Sequence, residues 1–434
     1  MPRSASSRGH LGRRHHGDPD PDPSPVPDPD SGPAGAADPD ADPGPAVAAP
    51  DPDADSGPQA RQAADADPDS DAGKEADQAP DSHADAVRHG QAAVHGAGSA
   101  GAAPELGDGW RRWIAENKLA GFDDEPLVAA MVEAGLDGVA AAAEVAAVAA
   151  HPCFQAGEKL AQRLAKLGSV LDVHRALAAL APGAGSVERR GGVSRAELLE
   201  RYYAANRPVV LTDAMADWPA LARWGPEYFK ATCGEALVEI MSGRSRDPRY
   251  EINAYDHKSE VRFADYVEMV TAGGESNDYY LVANNGFFDR PEMRPLYDDI
   301  RFPEHLDPAQ TDGRVHFWFG PAGTVTPLHH DLMNVLMAQV YGRKRVTLIS
   351  PDQTHRLYNE IGVFSEVDPE DPDFEQHPLY RDVETLRVDL APGEALFLPV
   401  GWWHHVRALD VSVTVTFTNF VHRNEFEWLN PDGR

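Results

Sequence analysis

The chain has 434 residues and a formal net charge of −31, with 70 acidic against 39 basic side chains. This acidity argues against a broad phosphate-contacting face of the kind that nucleic-acid-binding proteins use. The two cysteines are too few for a disulfide framework or a cysteine-based zinc site, and no apolar run reaches the length of a membrane-spanning helix. We therefore expect a reducing, cytoplasmic location.

The first part of the chain, residues 1–106, is rich in Asp, Pro, Ala and Gly and almost lacks large apolar side chains. Repeated Asp-Pro steps, such as Asp18-Pro19 and Asp38-Pro39, oppose regular helix and sheet. A segment of this composition cannot bury enough apolar surface to offset its conformational entropy. The sequence predicts a disordered acidic tail here.

A helical pattern begins near Trp110 and ends before Pro182, with apolar residues at spacings of three and four. Pro152 interrupts the pattern, and Pro182 is followed by a glycine that ends it. We predict a helical region over residues 107–182, with three or four helices and a packing or partner-binding role. A linker over residues 183–194 should separate it from a second domain over residues 195–434.

The second domain shows short strand patterns with few helices. Its first part predicts a helix at 263–271 and strands at 209–212, 237–241 and 279–282. Beyond residue 315 the pattern is mostly β, with Gly and Pro turns between the strands. Many short strands without long helices between them indicate a mainly β jelly roll or barrel. The candidate strands in this part are 315–319, 335–340, 344–349, 386–390, 395–398, 404–408 and 412–420.

A His-x-Asp pair, His329 and Asp331, lies in this β region. Residues two apart in a strand face the same side, so both side chains could bind one metal ion. The pair alone is weak evidence, because an ordinary polar cluster at the end of a strand has the same pattern.

A second source of ligands follows a Pro-Gly turn, an apolar strand and a loop, where His404 and His405 are adjacent. Neighbouring strand residues face opposite sides, so only one of the two can join His329 and Asp331. Two histidines and one carboxylate occupy one face of octahedral iron(II) and leave three positions open. Open positions suit an oxygenase, whereas a structural zinc site closes its coordination sphere.

Several motifs extend this pattern: Thr-Pro-x-His-x-Asp at 326–331, Gly-Arg-Lys-Arg at 342–345, Gly-Glu-Ala-Leu-Phe-Leu-Pro at 393–399 and Trp-Trp-His-His at 402–405. With them, residues 207–419 resemble the JmjC domain, in the small cupin-like hydroxylase branch that includes the asparaginyl hydroxylase acting on hypoxia-inducible factor. The resemblance implies a double-stranded β-helix, a cupin-like jelly roll. It also implies iron(II) as the metal, with 2-oxoglutarate and dioxygen as cosubstrates.

The resemblance assigns individual roles as well. The first histidine after the tryptophan pair, His404, becomes the third iron ligand beside His329 and Asp331. Lys344 corresponds to the lysine that pairs with the distal carboxylate of 2-oxoglutarate. Such a buried carboxylate needs a fixed cation and hydroxyl donors. By itself, however, Lys344 lies between two arginines and could equally belong to a solvated hairpin turn.

Three further residues match cosubstrate contacts of these enzymes. Thr326 and Tyr280 correspond to hydroxyl donors, and Asn419 corresponds to a polar residue near the cosubstrate. Each has a simpler alternative: a turn residue before a proline, a half-buried strand tyrosine, and an asparagine that satisfies backbone groups. The chain departs from many relatives at Val335, where they carry an asparagine, and here Asn334 precedes that position.

The resemblance implies hydroxylation of a peptide or protein side chain. N-demethylation, or hydroxylation of a small molecule or RNA, would use the same iron site. A non-catalytic cupin-like binding module is the alternative from another class. A complete set of ligands together with Lys344 favours the enzyme over that module.

Overall fold

The computed structural model describes residues 106–283, 286–359 and 362–426. Residues 1–105, which carry nearly all of the predicted acidic tail, lie outside the described residues. Within the described ranges no single helix is long and apolar enough to cross a membrane, although the pair Gly138–Ala150 and Pro152–Ala178, bent by 66°, meets those criteria when taken together.

The predicted helical region contains four helices. The Ala-rich part of this region is divided between two helices near Gly135, whose φ of +93° no other residue type adopts easily. Pro152 begins the last helix, in the first turn, where its missing N–H costs nothing. Trp110, Trp113 and Met131 fill the core between the helices. The helices are α1 (Asp108–Leu119), α2 (Asp124–Glu133), α3 (Gly138–Ala150) and α4 (Pro152–Ala178).

The long helix α4 connects this region to the β-rich part. Asp172 contacts Arg356 at 2.9 Å and His355 at 3.3 Å, and Arg175 contacts Glu384 at 3.0 Å. Gly168 lies directly over the His355 ring, where a β-carbon would come within 3.2 Å. On its other side α4 exposes large apolar residues, each more than half exposed: Leu160, Leu164, Leu167, Val170, Val173 and Leu177.

The β-rich part is built from two facing sheets and one small sheet. The six-stranded sheet has the order β1 (Glu188–Arg190), β2 (Val209–Leu211), β11 (Ala395–Leu398), β8 (Val335–Tyr341), β13 (Ser412–Phe417) and β6 (Val315–Gly320). The four-stranded sheet has the order β10 (Leu386–Leu390), β9 (Lys344–Ile349), β12 (Trp403–Ala408) and β7 (Val325–His330). The small sheet has the order β4 (Lys258–Arg262), β3 (Leu237–Ser242) and β5 (Tyr279–Tyr280).

Short helices cover the outside of the larger sheet. The helix predicted at 263–271 is present with those bounds. These helices are α5 (Arg195–Leu198), which continues into a π-helical turn at Leu199–Tyr203, α6 (Ala220–Arg223), α7 (Pro226–Cys233), α8 (Phe263–Thr271) and α9 (Arg294–Tyr297). All strand pairs are antiparallel except β1 with β2. This arrangement confirms the predicted cupin-like jelly roll.

Alternation along the strands sorts the side chains between two cores. In β13 the residues Val413, Val415 and Phe417 pack outward with aromatic residues of β6 and the covering helices. Between the two sheets lies a separate aliphatic core that includes Leu348 and Val406. Because this inner core fills only part of the space between the sheets, polar side chains on the same inner faces can form a site.

The strand β7 is absent from the predicted strands, although His329 and Asp331 were interpreted as strand residues. The strands β1 and β4 were also not predicted, because their sequences carry no apolar alternation. β1 has the sequence Glu-Arg-Arg and lies within the predicted linker. Its partner β2 is fully buried, whereas β1 itself is at most partly buried. β4 reads Lys-Ser-Glu-Val-Arg and pairs with β3 at the surface. The last predicted strand, 412–420, ends at Phe417.

The turn between β8 and β9 gives a test of this fold. Gly342 has a φ of +63°, and a β-carbon there would lie 2.1 Å from the carbonyl oxygen of Val411. We expect Gly342→Ala to lower the free energy of unfolding by about 3–5 kcal/mol, from the left-handed conformation and the steric conflict together. Gly313 has a similar φ of +64° but open space around it, so Gly313→Ala should cost only about 1–2 kcal/mol. Urea unfolding of both variants measures the difference, and equal losses would contradict the steric argument.

Candidate metal centre and cosubstrate pocket

Two paired strands carry the histidines of the predicted metal site. β7 and β12 pair so that His329 lies directly opposite His404, with 4.0 Å between the ring centroids. Asp331 follows the end of β7, and its Oδ2 is 3.6 Å from Nε2 of His404. One donor atom from each of the three residues lies within 4.8 Å of the others. The fold therefore brings together the three residues that the sequence assigned to iron.

Backbone carbonyls fix the orientation of both imidazoles. Nδ1 of His329 is 2.8 Å from the carbonyl oxygen of Pro327, and Nδ1 of His404 is 3.1 Å from that of Trp402. A carbonyl oxygen only accepts, so each Nδ1 carries the hydrogen and donates it. The lone pair of each Nε2 is then free to bind a metal ion, which is the usual arrangement of metal-binding histidines.

The charges of the three residues also suit a cation. Burial lowers the pKa of His404 well below its usual value, and the nearby His329 lowers it further, so the ring is neutral near pH 7. Removal of water by the surrounding protein raises the pKa of Asp331, and His329 opposes that change. A metal ion restores the charged carboxylate and requires neutral imidazoles.

Two neutral imidazoles and one carboxylate on one side of a site fit iron(II), the metal that the resemblance implies. A bound iron ion would leave coordination positions at which 2-oxoglutarate and dioxygen react. The pleat of β12 decides between the two adjacent histidines. His404 faces His329 across the sheet, whereas His405 belongs to the opposite side of the strand, where it lines a cavity of about 740 Å³.

Lys344 begins β9 and is only 3% exposed. Its Nζ donates to the hydroxyl of Tyr280 at 2.9 Å and lies 5.9 Å from the centre of the Trp318 ring. No carboxylate pairs with it among the described residues, and burial lowers its pKa to about 7. The flanking residues Arg343 and Arg345 instead form surface ion pairs with aspartates. Lys344 is therefore not part of a solvated hairpin turn.

Strand register places Lys344 on the same inner face as the metal ligands. β9 and β12 pair Leu348 with His404 and Lys344 with Ala408. Four residues along a strand span about 13 Å. The side chain of Lys344 therefore lies at one end of this distance of about 13 Å along the sheet, about four residues, and the candidate metal ligands lie at the other end. A small dicarboxylate can span the remainder, with one end at the metal and the other at the ammonium group.

The three other predicted cosubstrate residues lie in different surroundings. Thr326 is half-buried on β7, and its hydroxyl makes no hydrogen bond within the described ranges. Tyr280 is 2% exposed, and burial raises its pKa, so its hydroxyl keeps its proton and can donate. The Asn419 amide is fully buried and donates to the carbonyl oxygen of Asp307 at 2.8 Å, while its Oδ1 has no partner. Its contact with the cosubstrate stays a prediction.

Two residues beside this pocket were missed. Trp318 shares one face of β6 with His316, and the alternation Val-His-Phe-Trp-Phe was a signal that could have found it. Arg244 is completely buried, yet it follows β3 in an Arg-Ser-Arg segment typical of a surface loop. Its guanidinium donates to the carbonyl oxygen of Val325 at 2.7 Å and lies 5.3 Å from the centre of the Tyr280 ring. It therefore links the strand of the metal ligands to the lysine partner.

The two residues at the departure, Asn334 and Val335, have different surroundings. Val335 joins the inner aliphatic core, whereas the adjacent Asn334 is 1% exposed and holds two chain segments together. Its Oδ1 accepts from the backbone N–H of Val400 at 2.9 Å, and its Nδ2 donates to Asn424 at 2.7 Å. The amide thus supports the loop that leads to His404.

The geometry predicts how metal binding responds to substitution. His329→Ala, Asp331→Ala and His404→Ala should each remove iron from the site, because a three-residue set cannot lose a ligand without a large loss of affinity. His405→Ala should retain iron at this site, because its ring faces the other side of β12. Iron analysis of anaerobically loaded protein, with circular dichroism as the folding control, tests this. Loss of this iron in His405→Ala with retention in His404→Ala would reverse the assignment.

Comparison with known proteins agrees with the fold and the site. Residues 195–426 match the family described as Cupin-like domain. The chain is 34% identical to Lysine-specific demethylase JMJ30 of Arabidopsis thaliana, over 53% of this chain and 54% of that protein. It is 31% identical to Lysine-specific demethylase 8 of Xenopus tropicalis, over 50% and 49% of the two chains.

A third relative is matched over more of its length. The chain is 31% identical to tRNA wybutosine-synthesizing protein 5 of Gallus gallus, over 52% of this chain and 74% of that protein. The matched region spans about half the length of the two demethylases. The family match over residues 195–426 covers the jelly roll that holds the candidate metal ligands and Lys344. The chain belongs to the cupin-like JmjC family of iron(II)- and 2-oxoglutarate-dependent oxygenases.

Proposed function

We propose that this protein hydroxylates a side chain of a peptide or protein substrate, with iron(II) and 2-oxoglutarate. One observation carries the proposal: the buried ammonium group of Lys344, which has no carboxylate partner among the described residues, lies on the same inner face as a complete set of candidate iron ligands. An unpaired buried cation destabilises a fold, so its presence is best explained by an anionic ligand. A binding module without catalysis would not need both features.

Separate groups of residues bind the metal ion and the distal carboxylate of the cosubstrate. His329, Asp331 and His404 hold the metal. Lys344 supplies the positive charge for the distal carboxylate, and the hydroxyl of Tyr280 adds a hydrogen-bond donor. The walls around Lys344 are aromatic and aliphatic, which keeps water away and strengthens this charge pair.

The proposed substrate site is the cavity of about 740 Å³ on the outer face of β12, which is lined by Pro327 and Leu328, the two residues directly before His329. Phe364 lines this cavity and packs against His329, with 5.7 Å between the ring centroids. Four acidic residues and two basic residues also line it: Glu251, Glu275, Glu366 and Asp368, with Arg249 and Arg407. Such acidic walls, in a protein of net charge −31, favour a peptide with a basic residue. The names of the Arabidopsis and Xenopus relatives, both lysine-specific demethylases, support the same class of substrate.

N-demethylation remains the second candidate reaction, because those relatives carry that name and the same metal site serves both reactions. RNA is the substrate class suggested by the name of the Gallus relative. The acidic cavity and the negative net charge favour a peptide over RNA, since a phosphate backbone is repelled by carboxylates.

Turnover on peptide libraries tests the substrate class. We expect the iron-loaded protein to add one oxygen atom to unmethylated peptides with a central Lys or Arg, with stoichiometric succinate, and to act at least about tenfold less on matched peptides with norleucine there. Mass spectrometry of peptide and succinate measures both. Loss of a methyl group from methylated peptides alone would favour demethylation. Oxidation of RNA oligonucleotides alone would contradict the peptide substrate.

A second prediction concerns the cosubstrate anchor. Lys344→Met removes one partner of a buried charge pair, which costs about 3–5 kcal/mol, so 2-oxoglutarate affinity should fall a hundredfold or more. The same substitution should raise the free energy of unfolding by more than about 1 kcal/mol, because it removes an unpaired buried ammonium group. Calorimetry on the anaerobic manganese form and urea unfolding measure the two effects. Binding within about threefold of wild type would show that the anchor lies elsewhere.

The pH dependence of binding follows from the same residue. Free Lys344 has a pKa of about 7, and the ammonium form binds the carboxylate, so affinity should fall by up to tenfold per pH unit as the pH rises above that value. Binding at pH 8 should then take up a proton, seen as a dependence of the heat on the buffer. Lys344→Met should lose this uptake. Arg345→Met, an exposed neighbour paired with Asp389, should keep both the uptake and the affinity.

A further inference from the structure

A second group of metal-binding side chains lies on the other side of β12. Asp368, Glu370 and His405 each place a donor atom within 4.8 Å of the others. The two acidic residues belong to the segment that leads from Phe364 toward β10, and both are exposed. His405 is 2% exposed and lines the cavity of about 740 Å³.

The imidazole of His405 has no hydrogen-bond partner within the described ranges, whereas those of His329 and His404 are each held by a carbonyl oxygen. The ring is directed to the cavity and the two carboxylates, so it is available to a ligand there. This is the feature that distinguishes the cluster from ordinary acidic residues at a surface.

Each carboxylate keeps one free oxygen. Oδ1 of Asp368 accepts from the backbone N–H of Glu370 at 2.9 Å, and its Oδ2 makes no hydrogen bond within the described ranges. Both Nε and Nη2 of Arg407 contact the same oxygen of Glu370, Oε2, at 2.7 Å. Oε1 of Glu370 is therefore left for a cation, and the ion pair with Arg407 can persist beside it.

We propose that Asp368, Glu370 and His405 bind a second divalent transition-metal ion. Bonds from such a metal to nitrogen or oxygen are about 2.0–2.2 Å long, so its ligands lie within about 4.4 Å of each other. Neighbouring ligands of one ion lie about 3–3.6 Å apart. The three donor atoms, which lie within 4.8 Å of one another, must therefore close by about 1 Å, and rotation of the two exposed carboxylates allows this. A mixed imidazole and carboxylate set suits Zn²⁺, Mn²⁺ or Co²⁺, with water completing the coordination.

The second metal would fasten a segment that touches the iron site. His329 forms an isolated β-bridge with Phe364, and the backbone N–H of Ser365 donates to the carbonyl oxygen of Leu328 at 2.9 Å. A cation that joins Asp368 and Glu370 to β12 therefore holds this segment against β7. Consecutive residues of one strand, His404 and His405, would serve two metal ions on opposite faces.

Cobalt binding to the full chain tests the proposal, with Co²⁺ as the probe in anaerobic equilibrium dialysis and metal analysis. Wild type should bind about two equivalents, and the double variant Asp331→Ala/His404→Ala about one. The double variant Asp368→Asn/Glu370→Gln changes only exposed side chains, so it should fold and also bind about one equivalent. Glu366→Gln is the matched control, since Glu366 lines the same cavity outside the cluster, and it should bind about two.

A combination of the two double variants separates the sites further. It should bind no cobalt, and His405→Gln in the Asp331→Ala/His404→Ala background should also remove the remaining equivalent. The visible spectrum of cobalt in that background should report nitrogen and oxygen ligands. The proposal fails if wild type binds a single equivalent at saturation. It also fails if Asp368→Asn/Glu370→Gln retains both equivalents.

Discussion

The pairing of β7 with β12 is the constraint on which the site depends. Its register sets His329 opposite His404 and leaves Asp331 just beyond the end of β7. Side chains alternate along a strand, so a slip by one residue would turn His404 away from the interior and replace it with His405. The register shift between His404 and Val406 changes the pairing directly after the ligand. Hydrogen bonds of the sheet, and not the ligands alone, therefore define the geometry of the metal site.

A buried lysine shows how function conflicts with stability in this fold. Every other inward-facing residue of β9 is aliphatic, and burial of the Lys344 ammonium lowers its pKa to about 7. The protein tolerates this because the surrounding sheets bury a large apolar core that outweighs one unfavourable group. The hydroxyl of Tyr280 and the ring of Trp318 replace only part of the hydration that the Lys344 ammonium group loses on burial. In the proposed function the distal carboxylate of 2-oxoglutarate would complete the charge pair, so cosubstrate binding would also stabilise the fold locally.

The two faces of the four-stranded sheet carry different chemistry. The inner face holds the metal ligands and Lys344, while the outer face, with His405 and Arg407, borders the acidic cavity. Phe364 connects the two, because it lines the cavity and also packs against His329. A ligand in the cavity on the outer face would thus be separated from His329 by the side chain of Phe364. If the proposed substrate enters this cavity, its binding and the position of His329 would be coupled by direct packing through Phe364.

The sequence by itself indicated a jelly roll or barrel through strand alternation and turn residues, and its motifs, through their resemblance to the JmjC domain, gave the family and the candidate metal ligands. It could not choose between His404 and His405 without the resemblance, since both fit the same spacing. The unpredicted strands β1 and β4, the burial of Arg244 and the structural use of Asn334 depend on partners far away in the chain. Such partners are set by tertiary packing, which local sequence patterns do not encode. For the same reason only the tertiary structure showed that Lys344 is buried without a counter-ion and that Asp368 and Glu370 lie beside His405.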